Sequence, residues 1–172
     1  LLDRWLGYGP EKKLLAGELA DLARHYETNA VVLFAAIDRL RASLATSSPG
    51  TASAPNMAPS IMHFEKLKVQ PDALILNAQT FRHVPRKYAR VLSHVRVRFR
   101  NRNIEAQRLI VHLTSGHFDP TVFLALMEYA VEETALAIKT AREAVAVLED
   151  KATALSPNPK RDLVYEAVAT GS

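Results

Sequence analysis

Three polar side chains interrupt seams that are otherwise apolar: Asn29, Arg102 and Glu133. An Arg and a Glu brought together away from water form a buried ion pair, and an Asn beside them adds a donor and an acceptor. Such a layer either fixes the register of packed helices or lines a ligand cavity. The spacing predicts the first of these, with Arg102 facing Glu133. Other chemistry is harder to assemble. The histidines are His25, His63, His83, His94, His112 and His117. Only His112 and His117 are close together, and five residues with Gly116 between them do not share a helical face as an HExxH pair does. They are expected to be solvated turn residues. Glu132 and Glu133 are adjacent and so point to different faces, which makes no carboxylate dyad. The Glu-x-x-His repeats of di-iron bundles, the P-loop and the GxSxG elbow are missing, and Gly7 and Gly9 lack the strand and helix that phosphate binding requires. The chain has no Cys, which excludes disulfides and thiolate metal sites. These patterns predict a protein that is not an enzyme and uses no cofactor or metal.

The strongest charge feature is RKYARVLSHVRVRFRNRNIEAQR, residues 86–108, with seven Arg and one Lys against one Glu. On a helix, Lys87, Arg90, Arg96, Arg98, Arg100 and Arg108 fall off the apolar seam and form a candidate surface for an anionic partner. The following acidic stretch, residues 119–151, holds seven acidic and three basic residues, for a balance of −4 against +7 on the basic stretch. If the two are antiparallel neighbours, part of the basic charge is answered inside the fold. Nucleic-acid binding usually adds stacking aromatics or a recognisable module. Here Tyr88 and Phe99 sit on the seam and read as core. A protein partner or a homodimer is therefore expected, an anionic membrane surface is an alternative, and nucleic acid is disfavoured.

The elements that must position these residues are helical. The chain has 172 residues, of which 48% are apolar and 23% charged, and a net charge of +4; this suits one soluble domain spanning 1–172. Residues Leu15, Leu19, Leu22, Tyr26, Asn29, Leu33, Ala36 and Leu40 recur at alternating spacings of four and three, predicting a helix over 10–44. Tyr88, Leu92, Val95, Phe99, Arg102, Ala106, Leu109 and Leu113 predict a basic helix over 86–115. Phe123, Leu126, Ala130, Glu133, Ala137, Thr140, Ala144 and Val147 predict an acidic helix over 119–154. Ser115-Gly116 closes the former, and Asp119-Pro120 caps and opens the latter. Val95 to Phe99 also alternates at period two, as a half-buried strand would, but only over five residues. The longer helical period outweighs it. The Pro/Ser/Ala-rich stretch 45–60 reads as a flexible crossover loop, residues 72–79 as a short helix, and 156–172 as a loosely ordered tail. The expected fold is all-α: an antiparallel bundle of three long helices plus one short helix. With the hairpin turn centred near residue 116, Arg102 and Glu133 differ in height by about 4–5 Å, with Asn29 a candidate for the same layer.

The segments GELADLARHYETNAVVL (17–33) and DALILNAQTFRHVPRKYARVLSHVRVRFRNRNIEAQ (72–107) loosely resemble a class of uncharacterised bacterial proteins with a transmembrane helix followed by an extracytoplasmic helical domain. The matching polar positions are Asn29 and Asn103; Leu74 or Leu76 stands where that class carries Trp. The resemblance implies a membrane-tethered sensor or interaction domain without catalysis, on the periplasmic side of a bacterial inner membrane rather than in the cytoplasm. The chain opens on Leu1, and Trp5 and Tyr8 follow as aromatic residues do at the exit of a membrane helix. The expectation is accordingly a helical sensor or protein-interaction domain, the soluble part of an anchored protein; the alternative is a basic helical nucleic-acid-binding module.

Overall fold

The computed structural model describes residues 8–46, 85–152 and 154. They form three helices: α1 (Tyr8–Thr46), α2 (Arg86–Thr114) and α3 (Pro120–Leu148). Residues 95–99 lie within α2, with Val95 and Phe99 buried and Val97 exposed. The period-two alternation is thus two overlapping helical faces. The short helix predicted over 72–79 and the tail predicted over 156–172 lie outside the described residues, as does the crossover loop from residue 47 onward. Ala45 and Thr46, assigned to that loop, complete the last turn of α1, where the Thr46 hydroxyl donates to the carbonyls of Ala42 and Ser43.

The order of contacts gives the topology. Between α1 and α3, Arg41 meets Glu128 and Arg142 meets Glu27. As one number rises the other falls, so the two helices are antiparallel. Between α1 and α2, Tyr26 meets Phe99 and Lys12 meets Tyr88. Here both numbers rise together, so α1 and α2 are parallel. The hairpin turn makes α3 antiparallel to α2. The bundle is therefore two parallel helices bridged by an antiparallel third.

The composition of α3 explains its central place. Its buried face is built largely of Ala130, Ala135, Ala137, Ala141 and Ala144. Small side chains let a helix backbone come close to its neighbours. Its backbone packs closely on both α1 and α2, while α1 and α2 meet through larger groups, notably the tilted Tyr26 and Phe99 rings 5.3 Å apart.

The turn forms as its residues dictate. Gly116 takes φ 75°, the left-handed conformation that closes a helix without a Cβ clash. The Asp119 carboxylate accepts from the backbone N–H groups of Thr121 and Val122 at 2.8 and 3.1 Å, and Pro120 occupies the first turn. His112 is not a solvated turn residue as expected. Its ring stacks on Phe123, packs against Phe118, and Nε2 lies 3.3 Å from the Asp119 backbone N–H. His117 is exposed.

The acidic helix ends at Leu148, six residues earlier than predicted. Asp150 stands at φ 58°, the N–H of Lys151 bonds to the Ala146 carbonyl, and that of Asp150 to the Val147 carbonyl. This pair of bonds is a Schellman closure, with Asp in the position usually held by Gly. Residues 149–154 are reasonable helix formers, so composition alone did not mark the stop.

Candidate functional site

The core is divided in two. One apolar cluster joins Leu15–Tyr26, Tyr88–Phe99 and Ala137–Leu148; the other joins Leu33–Leu40, Ala106–Ile110 and Phe123–Val131. Between them each helix contributes buried polar residues: Asn29 from α1, Arg102 and Glu105 from α2, Glu133 and Thr134 from α3. All three seams break between the same two apolar clusters, so the polar residues stand at one level of the bundle.

Arg102 is at the centre and has no exposed surface. Its guanidinium lies 6.0 Å from the centroid of the Tyr26 ring, where a cation is attracted by the ring face. The expected Arg102–Glu133 ion pair is not formed. Glu133 is reached instead by Arg98, at 3.9 Å. Glu105 is held by Arg108 at 2.7 Å. Arg102 thus sits near both carboxylates without a direct bond to either. Nε, Nη1 and Nη2 of Arg102, the Tyr26 hydroxyl, Asn29 Nδ2, and one oxygen each of Glu105 and Glu133 find no hydrogen-bond partner among the described residues. Leaving such a group unsatisfied costs roughly 1–3 kcal/mol. The electrostatics carry the same signature. Burial lowers the Arg102 pKa to about 10, pushes Tyr26 up to about 12, and raises Glu133 above its usual value. Thr134 alone is plainly satisfied, donating to the Ala130 carbonyl at 2.6 Å.

A second polar cluster ties the bundle at one end. Asp150 accepts from Lys12 at 2.5 Å and from the Tyr88 hydroxyl at 2.7 Å, and Lys87 approaches to 3.6 Å. The bonds from Lys12 and Tyr88 hold the Asp150 carboxyl down at about 2. One carboxylate thereby links the starts of α1 and α2 to the finish of α3. Beside it an open groove of about 560 Å³ runs between Gly9, Lys13, Gly17 and Ala20 on α1 and Val145 and Leu148 on α3.

The residues predicted as an anionic-partner surface are not one group. Arg98 is half-buried and turned to Glu133. Lys87 is turned to Asp150 and the Tyr88 ring. Arg108 is engaged by Glu105 of its own helix. Arg90, Arg96 and Arg100 are exposed and make no ion pair among the described residues, and Arg86, not among the predicted residues, behaves as they do. The acidic stretch answers part of the basic charge, as expected, through Glu133 with Arg98 and Asp150 with Lys87, while its other paired carboxylates are used elsewhere. Glu128 pairs with Arg41 of α1, Glu143 with Lys139 and Glu149 with Lys151.

Along the same outer side of α2 stand Val97, Ile104 and Val111, with 54%, 41% and 53% of their surface exposed. Seven residues apart, they make a line along the helix. At 100° per residue, Arg86, Arg90, Val97, Arg100, Ile104 and Val111 share one sector of about 80°, opposite the buried seam, with Arg96 on its flank. This aliphatic line among arginines had no counterpart in the sequence reading. Its signal was the seven-residue recurrence of aliphatics out of phase with the core.

Among the described residues no group of three or more His, Asp or Glu is placed to hold a metal ion, and no helix is long and apolar enough to cross a membrane. Comparison with protein-family models, with curated proteins and with solved structures finds no match to the chain.

Proposed function

We propose that this is a non-catalytic helical interaction domain, and that its working surface is the outer face of α2, which takes an anionic partner. The observation that carries the reading is the set of Arg86, Arg90, Arg96 and Arg100: exposed, without an ion pair among the described residues, and gathered on or beside one face. Like charges crowded on one helix repel each other in the free protein. A partner of opposite charge relieves that repulsion and is drawn to the face from a distance. The polar layer around Arg102 fits the same reading as an internal fixture. It is sealed inside the bundle, where no substrate reaches it, and its three-helix span suits it to hold the register of the rods beneath the binding face. A role as the soluble, sensing or interacting part of a membrane-anchored bacterial protein accords with this proposal.

A second reading, a basic module on nucleic acid, is favoured by the arginine count alone. The test of the main proposal is retention on immobilised heparin at low salt. The native protein is expected to be retained and to elute at a salt concentration that falls sharply in the variant combining Arg86→Gln, Arg90→Gln, Arg96→Gln and Arg100→Gln, with helical circular dichroism unchanged. Elution of that variant alongside the native protein would show that the outer face is not the anionic-partner surface.

A further inference from the structure

Resting on that reading, we infer that the anionic partner is a phospholipid surface, on which α2 lies lengthwise. A polyanion such as nucleic acid is served by arginines alone. It gains nothing from a line of aliphatic side chains, and seating phosphates over Val97, Ile104 and Val111 would bury apolar groups against charge. A bilayer interface accepts both. Its acyl boundary takes an apolar stripe a few ångströms deep, and its headgroups take the basic residues flanking that stripe. The geometry has this form. Val97, Ile104 and Val111 occupy the middle of the sector, over about 21 Å of helix. Arg90 and Arg108 stand to one side of that line, Arg96 and Arg100 to the other, and Arg86 extends it toward the start of α2. Long arginine stems can lie along the surface while the guanidinium groups reach the phosphates. The other face of α2 is committed to the core through Tyr88, Leu92, Val95, Phe99, Ala106 and Leu109, so the helix can dock without leaving the bundle.

Co-sedimentation with vesicles tests this directly. Vesicles of phosphatidylglycerol mixed with phosphatidylcholine should bind the protein, and pure phosphatidylcholine should not. Partitioning should fall by roughly fivefold for each arginine changed to Gln. The decisive variant combines Val97→Gln, Ile104→Gln and Val111→Gln. It keeps every arginine, so it should be retained on heparin as the native protein is, yet lose the anionic vesicles. If the native protein ignores anionic vesicles while binding heparin or duplex DNA, the lipid inference fails and the charge reading survives. If it binds neither, both fail. Vesicle binding that the glutamine variant retains in full would mean the aliphatic line takes no part, which also overturns the inference. So would a concentration-dependent dimer that this variant abolishes, because the line would then belong to a second copy of the chain.

Discussion

Arg102 is the residue whose position asks most of the surrounding fold. It sits between two apolar clusters with no exposed surface and no hydrogen-bond partner among the described residues. Its two nearby carboxylates are each engaged by another arginine, Arg98 for Glu133 and Arg108 for Glu105. Removing the Arg102 charge therefore leaves neither of them stranded. Arg102→Met keeps the volume and removes a desolvated charge whose nitrogens have no hydrogen-bond partner among the described residues; a buried polar group left unsatisfied costs about 1–3 kcal/mol, which its removal returns. We expect a gain of that order in urea unfolding. Arg102→Ala should fall short of it, because the cavity it opens has its own cost. A loss of stability in the Met variant would show that the attraction of the guanidinium to Glu105 and Glu133 outweighs the cost of burying it. The burial of Asn29, Arg102 and Glu133 was legible, because a helical period decides which side chains face inward. Which arginine meets Glu133 was not. Arg98 and Arg102 are four residues apart on nearly the same side, so an uncertainty of one turn in the hairpin register, about 5.4 Å, exchanges them. Glu105 lies at the edge of the seam, where periodicity assigns a residue to neither side.

Among the elements, α3 is the one whose sequence most directly predicts its role. Its alanine face permits close packing on two neighbours at once, and Ala137 is fully buried. Ala137→Leu forces an isobutyl group into that contact and should cost about 1–3 kcal/mol. Ala125→Leu on the exposed side of the same helix should lie within about 0.5 kcal/mol of the native protein. Thermal or urea unfolding of the pair checks this; equal effects would mean that α3 is not the tightly packed central helix. The ends of α3 were unequally legible. Asp119-Pro120 has a local mechanism for starting a helix, and the helix starts there. The finish at Leu148 depends on Asp150 accepting a left-handed backbone while its carboxylate reaches Lys12 and Tyr88. Those partners lie 138 and 62 residues away in the chain, and no local pattern contains them. The outer face of α2 shows the same limit. Its arginines are plain in the sequence, but which of them stay unpaired depends on Glu128 pairing with α1, Glu143 and Glu149 with lysines of their own stretch, and Glu133 with Arg98.

At the scale of the molecule, Asp150 ties α1 and α2 to the finish of α3. Its pKa is about 2 in the folded protein against an ordinary 3.8. A carboxyl with a lowered folded value stabilises the fold when ionised in both states, so its contribution is complete above about pH 4. It declines as acid protonates the unfolded chain first, and is gone once pH falls through about 2. Stability followed from pH 6 down to pH 2 should drop in the native protein, and Asp150→Asn should remove part of that drop while being weaker at neutral pH. Parallel pH profiles for the two proteins would rule out the latch.

The parallel course of α1 and α2 has one more consequence. Each helix is a dipole with about half a positive charge at its start and half a negative charge at its finish. Two rods pointing one way and one the other cannot cancel, so the bundle is left with an axial moment. Its positive pole lies at the end where α1 and α2 start, near Lys12, Arg86 and Lys87, and a negatively charged boundary would turn that pole toward itself before the long side of α2 came to rest.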